Sequence, residues 1–242
     1  MNKNKLKLKV VKINHKNYNL YFKKGVFYPT ATTQFLLNAF FKFEKNLKNK
    51  KILDLGCGSG IITILISKKY NQNLFYASDT SKNAFEATMN NFKLHNLNGK
   101  LKKGNLLEPW HKEKFDYIIS DVSGISDIIA KKSEWFKSVP CKTGTDGTKL
   151  IIDVIKKVKN NLNKNGKFYF PIASLSHEKK IILYAKKNFK YCKILSKNDW
   201  FLPEYLEKKD KLLLKLKSTK KINFKIKFGK FICETKILCL YN

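Results

Sequence analysis

Arginine is absent: all 50 basic residues of this 242-residue chain are lysines, against 18 acidic residues, and the formal charge is +32. A surface selected to grip phosphates and bases favours arginine, whose planar fork bonds bidentately. With asparagine and isoleucine also abundant, the charge fits a coding bias at least as well as selection for RNA, and weak, unspecific, salt-sensitive attraction of RNA is what it implies. Long apolar runs are missing too. None approaches the roughly 18 to 20 residues of a membrane span, so no membrane partner is expected. The opening MNKNKLKLKV has no continuous apolar stretch behind it, so a secretory signal is not expected either. Cys57, Cys141, Cys192, Cys233 and Cys239 form no CxxC, and no histidine stands at ligand spacing from two of them, which argues against zinc or another metal centre. Odd in number and scattered, they fit a reducing cytoplasm.

What is present is a core: 43% of the residues are hydrophobic, enough for one domain with a small appendage. Residues 6–24, LKLKVVKINHKNYNLYFKK, alternate apolar and polar around NHKN and predict a β-hairpin, an extension over 1–24 ahead of a domain over 25–242. In GVFYPTATTQFLLNAFFKF, Thr32 or Thr33 can cap an apolar helix. KKILDLGCGSG reads as a buried strand entering a glycine turn, and IITILISKKY as the helix after it. NLFYASD is a second strand, SKNAFEATMNNFKLHN a helix, and GKLKKGNLLEP and FDYIISDVS two more strands. DGTKLIIDVIKKVKNNL is an amphipathic helix stopped by NKNG before the strand KFYFPIAS, and helix and strand alternate again to FICETKILCLYN. This alternation with short gaps predicts an α/β fold, a doubly wound, mostly parallel, Rossmann-like sheet. The lysine-rich stretch at about 203–221 reads as an insertion before the last strand, placed at the surface for recognition or as a lid.

The chemistry gathers at DLGCGSG. Gly56, Gly58 and Gly60 permit positive φ and let a ligand approach the backbone beside a helix N-terminus. A dinucleotide site would have its third glycine at position 61, where Ile61 stands, which counts against a nicotinamide cofactor. Asp79 ends the second strand nineteen positions after Gly60, the distance at which an acid reaches a ribose diol.

Together, ILDLGCGSG, ASDTSKNAFEATMNNFKLHN and GNLLEP resemble the class I methyltransferases that use S-adenosylmethionine. The resemblance covers roughly residues 25–195 and implies a seven-stranded sheet with that cofactor. It implies that the loop from Gly56 through Cys57 and Gly58 to Gly60 passes the cofactor's amino-acid part, and that Asp79 holds the ribose hydroxyls. Asn105 stands where the family has an acid that accepts from the adenine amine, and its carbonyl oxygen can do the same. Asp54 would neighbour the ammonium group, its other reading being an acid that satisfies the turn's amides. Thr80, Leu106 and Ser120 complete the expected lining.

Within that class, PTATTQFLL (residues 29–37) and TGTDGTKLIIDVI resemble segments of the release-factor glutamine methyltransferases. Thr33 matches the threonine of their Thr-Glu pair, Gln34 replaces the glutamate, and Thr33 is expected either as a helix cap or as a cofactor contact. In those enzymes, and in amino-methylating enzymes of nucleic acids, FDYIIS would be followed by Asn or Asp, two prolines and an aromatic. Here Asp121 keeps the first position while Val122, Ser123 and Gly124 replace the rest. The N–H acceptor is retained and the stacking platform is absent. Asp121 is the expected catalytic group, stabilising charge that develops on the methylated nitrogen; its bland reading is a turn cap. His177, just after FYFPIAS, is a second candidate as general base. Without the platform, the expected acceptors rank as small molecule or peptide, then protein side chain, then RNA, with glutamine methylation as the alternative. A catalytically silent RNA-binding module on the same fold is the rival of another class, and cofactor turnover separates the two.

Overall fold

The computed structural model describes residues 5–122 and 124–242. The N-terminal alternation pairs as an antiparallel hairpin, β1 (Lys7–Ile13) and β2 (Lys16–Phe22), closed by Asn14 and His15. Its buried face is Val11, Ile13, Leu20 and Phe22. Helix α1 (Ala31–Phe43) follows, and then strands and helices alternate: β3 (Lys51–Leu55), α2 (Ile61–Lys69), β4 (Leu74–Asp79), α3 (Lys82–Leu94), β5 (Gly99–Lys103) and β6 (Phe115–Ile119). After β6 come α4 (Asp127–Ala130), α5 (Lys149–Val158), β7 (Leu162–Ala173), α6 (Glu178–Asn188) and β8 (Tyr191–Phe201). The chain closes with α7 (Glu204–Glu207), α8 (Asp210–Ser218), β9 (Lys225–Lys227) and β10 (Lys230–Tyr241).

The strand order is β5-β4-β3-β6-β7-β10-β8, with β9 also on β10. β3 to β7 pair in parallel, and β10 runs antiparallel to β8 and β9. This is the doubly wound, Rossmann-like sheet expected from the sequence. The order reverses between β3 and β6, and beyond the carboxyl ends of strands at such a reversal a crevice opens for ligands. No described helix is long and apolar enough to cross a membrane.

The chain gathers into two compact units, one running to Asp121 and including Lys157–Tyr169, the other Val122–Lys156 with Phe170–Asn242. In the first, β3 and β6 read as near-continuous apolar runs because strands of a parallel sheet are covered on both faces. Ile52, Leu53, Leu55, Phe115, Ile118 and Ile119 are all buried. From α1, Phe40 meets Tyr117 and Tyr169 edge to face, at 5.6 and 5.2 Å between centroids. The start of α1 differs from the expectation: Thr30 is the N-cap, and Thr33 closes a capping box by accepting from the Thr30 amide. In the second unit, the 203–221 stretch buries Leu206, Leu213 and Leu216 in a cluster with Ile125 and Ile129. At about 1.5–3 kcal/mol for each buried leucine, the apolar side of this segment is anchored in that cluster, where a surface insertion for recognition or as a lid was expected.

Candidate active site

The glycine turn leans over the end of β4. Gly56 and Cys57 both donate their amides to the Ser78 carbonyl, at 2.8 and 3.0 Å, and Gly60 donates to the Cys57 carbonyl at 2.7 Å. The Gly58 amide donates to Asp79 Oδ2 at 3.0 Å. Gly58 and Gly60 sit at φ +57° and +77°, and a Cβ at Gly60 would lie 2.9 Å from the Thr88 methyl, so a side chain there is excluded twice. From α3, the Thr88 hydroxyl donates to the Gly58 carbonyl and the Asn91 carboxamide to the Ser59 carbonyl, at 3.0 and 2.9 Å. The Cys57 thiol lies 3.4 Å from Thr88 Oγ1, and burial pushes its pKa up. Four amides of the loop are therefore satisfied by the protein. In a phosphate cradle those amides would face the ligand.

Three carboxyl groups stand at the ends of β3, β4 and β6. Asp79 accepts from the Ser81 amide through Oδ1 (2.8 Å) as well as from Gly58, and burial raises its pKa. Asp54 Oδ2 accepts from the Thr63 amide and hydroxyl, at 3.2 and 2.8 Å, while its Oδ1 is buried with no partner. Burial above all, and then the nearness of Asp121 and Asp79, pushes the Asp54 carboxyl up to about 7. Asp121 Oδ2 accepts from the Thr33 hydroxyl at 2.5 Å, and burial likewise raises this carboxyl to about 7. Among the described residues no lysine pairs with any of the three, in a chain of charge +32. Such a cluster favours a cationic ligand and repels phosphate.

The other expected positions have separate surroundings. Ser120 is buried, its hydroxyl donating to the Leu55 carbonyl (2.8 Å) and its amide to Tyr169, which ties β6 to its neighbours. Thr80 is exposed. Asn105 is exposed and donates to Glu108 Oε1 at 3.0 Å, and Leu106 beside it is half-buried at φ +49°. His177 belongs to the second unit, where it caps α6: its Nδ1 accepts from the Lys180 amide at 3.3 Å and its own amide donates to the Asp146 carbonyl. Of the replaced platform positions, Ser123 lies outside the described residues. The stretch that follows is fastened by Asp127, whose carboxylate accepts from the Thr143 amide and hydroxyl and from the Gly144 amide. Thr63, Thr88 and Asn91 were not anticipated. For Thr88 and Asn91 a signal existed: two polar residues one turn apart on a helix face otherwise made of Ala84, Ala87 and Phe92.

Residues 17–121 match the methyltransferase small domain. A release factor glutamine methyltransferase of Clostridium botulinum is 33% identical over 185 residues, covering 71% of this chain and 65% of that protein. The chain belongs to the class I S-adenosylmethionine-dependent methyltransferases. A second release factor glutamine methyltransferase, from Aquifex aeolicus, is 29% identical over 69% of this chain and 62% of its own length. The chain thus spans just under two thirds of the length of these relatives. Among solved structures, a 16S rRNA N2 methyltransferase of T. thermophilus in complex with S-adenosylmethionine and guanosine shares the fold with a TM-score of 0.64. The identity is 12%, over 98% of this chain and 50% of that one. The cofactor of a class I methyltransferase carries an ammonium, a sulfonium and no phosphate. A buried carboxylate oxygen without a partner, and a glycine loop whose amides are already bonded, suit those features.

Proposed function

We propose that this chain methylates a side-chain nitrogen of a protein, with a glutamine carboxamide as the first acceptor to test. The observation that carries the reading is Asp121: a carboxyl fixed by Thr33 at the end of β6, next to the acids of the cofactor loop. The likeness to release factor glutamine methyltransferases moves this acceptor ahead of the small molecule or peptide that the sequence alone favours. In this reading Asp54 receives the ammonium and Asp79 the ribose hydroxyls, while Asn105 takes the adenine amine and Gly56 to Gly60 wall the methionine part. Thr80, Leu106 and Ser120 stay as lining, and His177 as the reserve base.

When bound, the cofactor supplies an electrophilic methyl group on sulfur. An amide nitrogen is a poor nucleophile, so it must be held with its lone pair in line. Asp121 does this by accepting an N–H through Oδ1, since Oδ2 is engaged by Thr33. As the methyl passed to nitrogen, its bond to sulfur breaking with the electron pair left on sulfur, the positive charge on nitrogen would be stabilised by the Asp121 carboxylate, and the N–H proton would leave to it. A carboxyl near 7 can take that proton and release it to water at neutral pH. The test is to incubate the protein with isotope-labelled S-adenosylmethionine and native protein fractions, and to map the label by mass spectrometry. Label on a glutamine carboxamide supports the reading; label confined to lysine amines or to RNA overturns it.

The acid cluster also sets a pH dependence. Asp54 and Asp121 have folded-state pKa values of about 7 against 3.8 ordinarily. Between those values the folded chain holds more protons than the unfolded one, so the stability of the free protein falls as pH rises through that window. A cationic ligand reverses the preference by drawing both groups to the charged form. Affinity for S-adenosylmethionine is therefore expected to strengthen as pH rises from about 6 to 7.5, by about tenfold for each linked carboxyl. S-adenosylhomocysteine, which lacks the sulfonium charge, should respond less. Calorimetry in buffers of different ionisation heat reads both the affinity and the released protons, and a flat profile removes the two acids from the cofactor site.

A further inference from the structure

The second unit carries a feature that methyl transfer does not use. β9 and β10 pair Lys227 with Lys230, so Phe228 and Gly229 alone make the turn between them. Both have positive φ, +50° and +71°, the pattern of a type I′ turn, which favours Asn-Gly or Gly-Gly. A phenylalanine in the first position is strained against the left-handed backbone, and its ring is 101% exposed. Neither local conformation nor burial favours it there.

The ring stands among cations. Lys225 and Lys227 lie on β9, all of whose residues are exposed, and Lys230 opens β10. Lys225 reaches Asp199 at 3.5 Å with both side chains more than half exposed, a weak pair that a phosphate can displace, and Lys230, itself more than half exposed, reaches the nearly buried Glu207 at 3.3 Å. Among the described residues Lys227 makes no ion pair.

We propose that this tip binds single-stranded RNA: the Phe228 ring stacks on an unpaired base, and Lys225, Lys227 and Lys230 neutralise the adjoining phosphates. Every base offers a π face, so an aromatic flanked by cations holds a strand without reading its sequence. A protein partner fits less well. An aromatic hot spot between proteins sits within a surround that excludes water, whereas this ring stands clear and Ile226 is the one apolar residue on β9. The inference does not rest on the methyl acceptor proposed above.

Phe228→Asn is the informative substitution, since it relaxes the turn and leaves the hairpin intact. Binding is followed by anisotropy of a labelled, unstructured RNA oligonucleotide at physiological salt. Kd is expected to rise about tenfold or more, as for the loss of one base stack, while Tm holds or rises and S-adenosylmethionine binding is unchanged. Phe228→Trp should retain the affinity, and Lys227→Gln should reduce the salt slope by about one phosphate. RNA binding by Phe228→Asn equal to wild type overturns the proposal. So does a loss seen only with phosphatidylserine vesicles, which would make the tip a lipid anchor.

Discussion

Replacing Asp121 by alanine is expected to lower kcat by about a hundredfold or more, with S-adenosylmethionine affinity within about twofold. Loss in kcat with little change in binding is the signature of a group that acts as charge develops. Two features argue for that split. Asp121 has one oxygen on Thr33 and, in the function proposed above, the other on the acceptor's N–H, so truncation would remove the nitrogen's anchor. Its removal also lessens the repulsion that, after burial, raises the Asp54 carboxyl, which offsets the lost negative charge toward a cationic cofactor. Asp121→Asn separates the roles, keeping an acceptor oxygen while removing the charge: recovery of most of the activity would assign Asp121 to positioning alone. With the aspartate in place, kcat/KM for S-adenosylmethionine should rise with pH through about 7, and Thr33→Val should move that rise to higher pH by removing the hydroxyl that favours the carboxylate. Wild-type turnover by Asp121→Ala would reduce the residue to a turn cap and turn attention to His177.

The largest loss of stability is expected at Glu44, far from any chemistry. This buried residue caps the C-terminus of α1. Its carboxylate accepts from the Tyr117 hydroxyl (2.8 Å), from the Tyr169 hydroxyl and from Lys167 Nζ (2.6 Å). Its carbonyl accepts from the Tyr70 hydroxyl at 2.7 Å. One residue thereby collects donors from α2's end, β6 and β7. Glu44→Ala removes a shared acceptor from two buried phenols and a half-buried ammonium, and removing one partner of a buried pair costs about 3–5 kcal/mol. For a chain of this length that lowers Tm by about 10 °C. Glu44→Gln keeps an acceptor oxygen and should lose roughly half as much. A Tm within experimental error of wild type for the alanine variant would show that the network is replaceable.

Much of this architecture is legible in the sequence because its signals are local. Alternation gives the N-terminal hairpin, strand-then-glycine gives the turn at Gly56 to Gly60, and spacing gives Asp79. What escapes is whatever depends on residues brought together from afar. Thr33 reads as a cap or a cofactor contact; it does close the capping box with the N-cap Thr30, yet its hydroxyl also finds Asp121, 88 positions on. Glu44, within KFEKNLKNK, looks like one more charge on a solvated face, because the phenols that bury it come from β6 and β7. The apolar spacing of Leu206, Leu213 and Leu216 is visible, but their partner, the stretch from Ile125 to Ile129, is not. The 203–221 segment therefore reads as a surface insertion, while its leucines also pack into a buried cluster.

Asn91 links two parts of the first unit that the sequence keeps separate. Fully buried, its carboxamide accepts from the Tyr21 amide at 2.6 Å and donates to the carbonyls of Tyr21 and Ser59, at 3.0 and 2.9 Å. β2 and the glycine turn thus share one buried side chain. Neither can swing away without stranding polar atoms that the other also needs, so they open as one cooperative unit rather than as two loose appendages. A ligand that rigidifies the turn must then slow amide exchange at Tyr21 as well, and the hairpin becomes a remote reporter of what the turn holds.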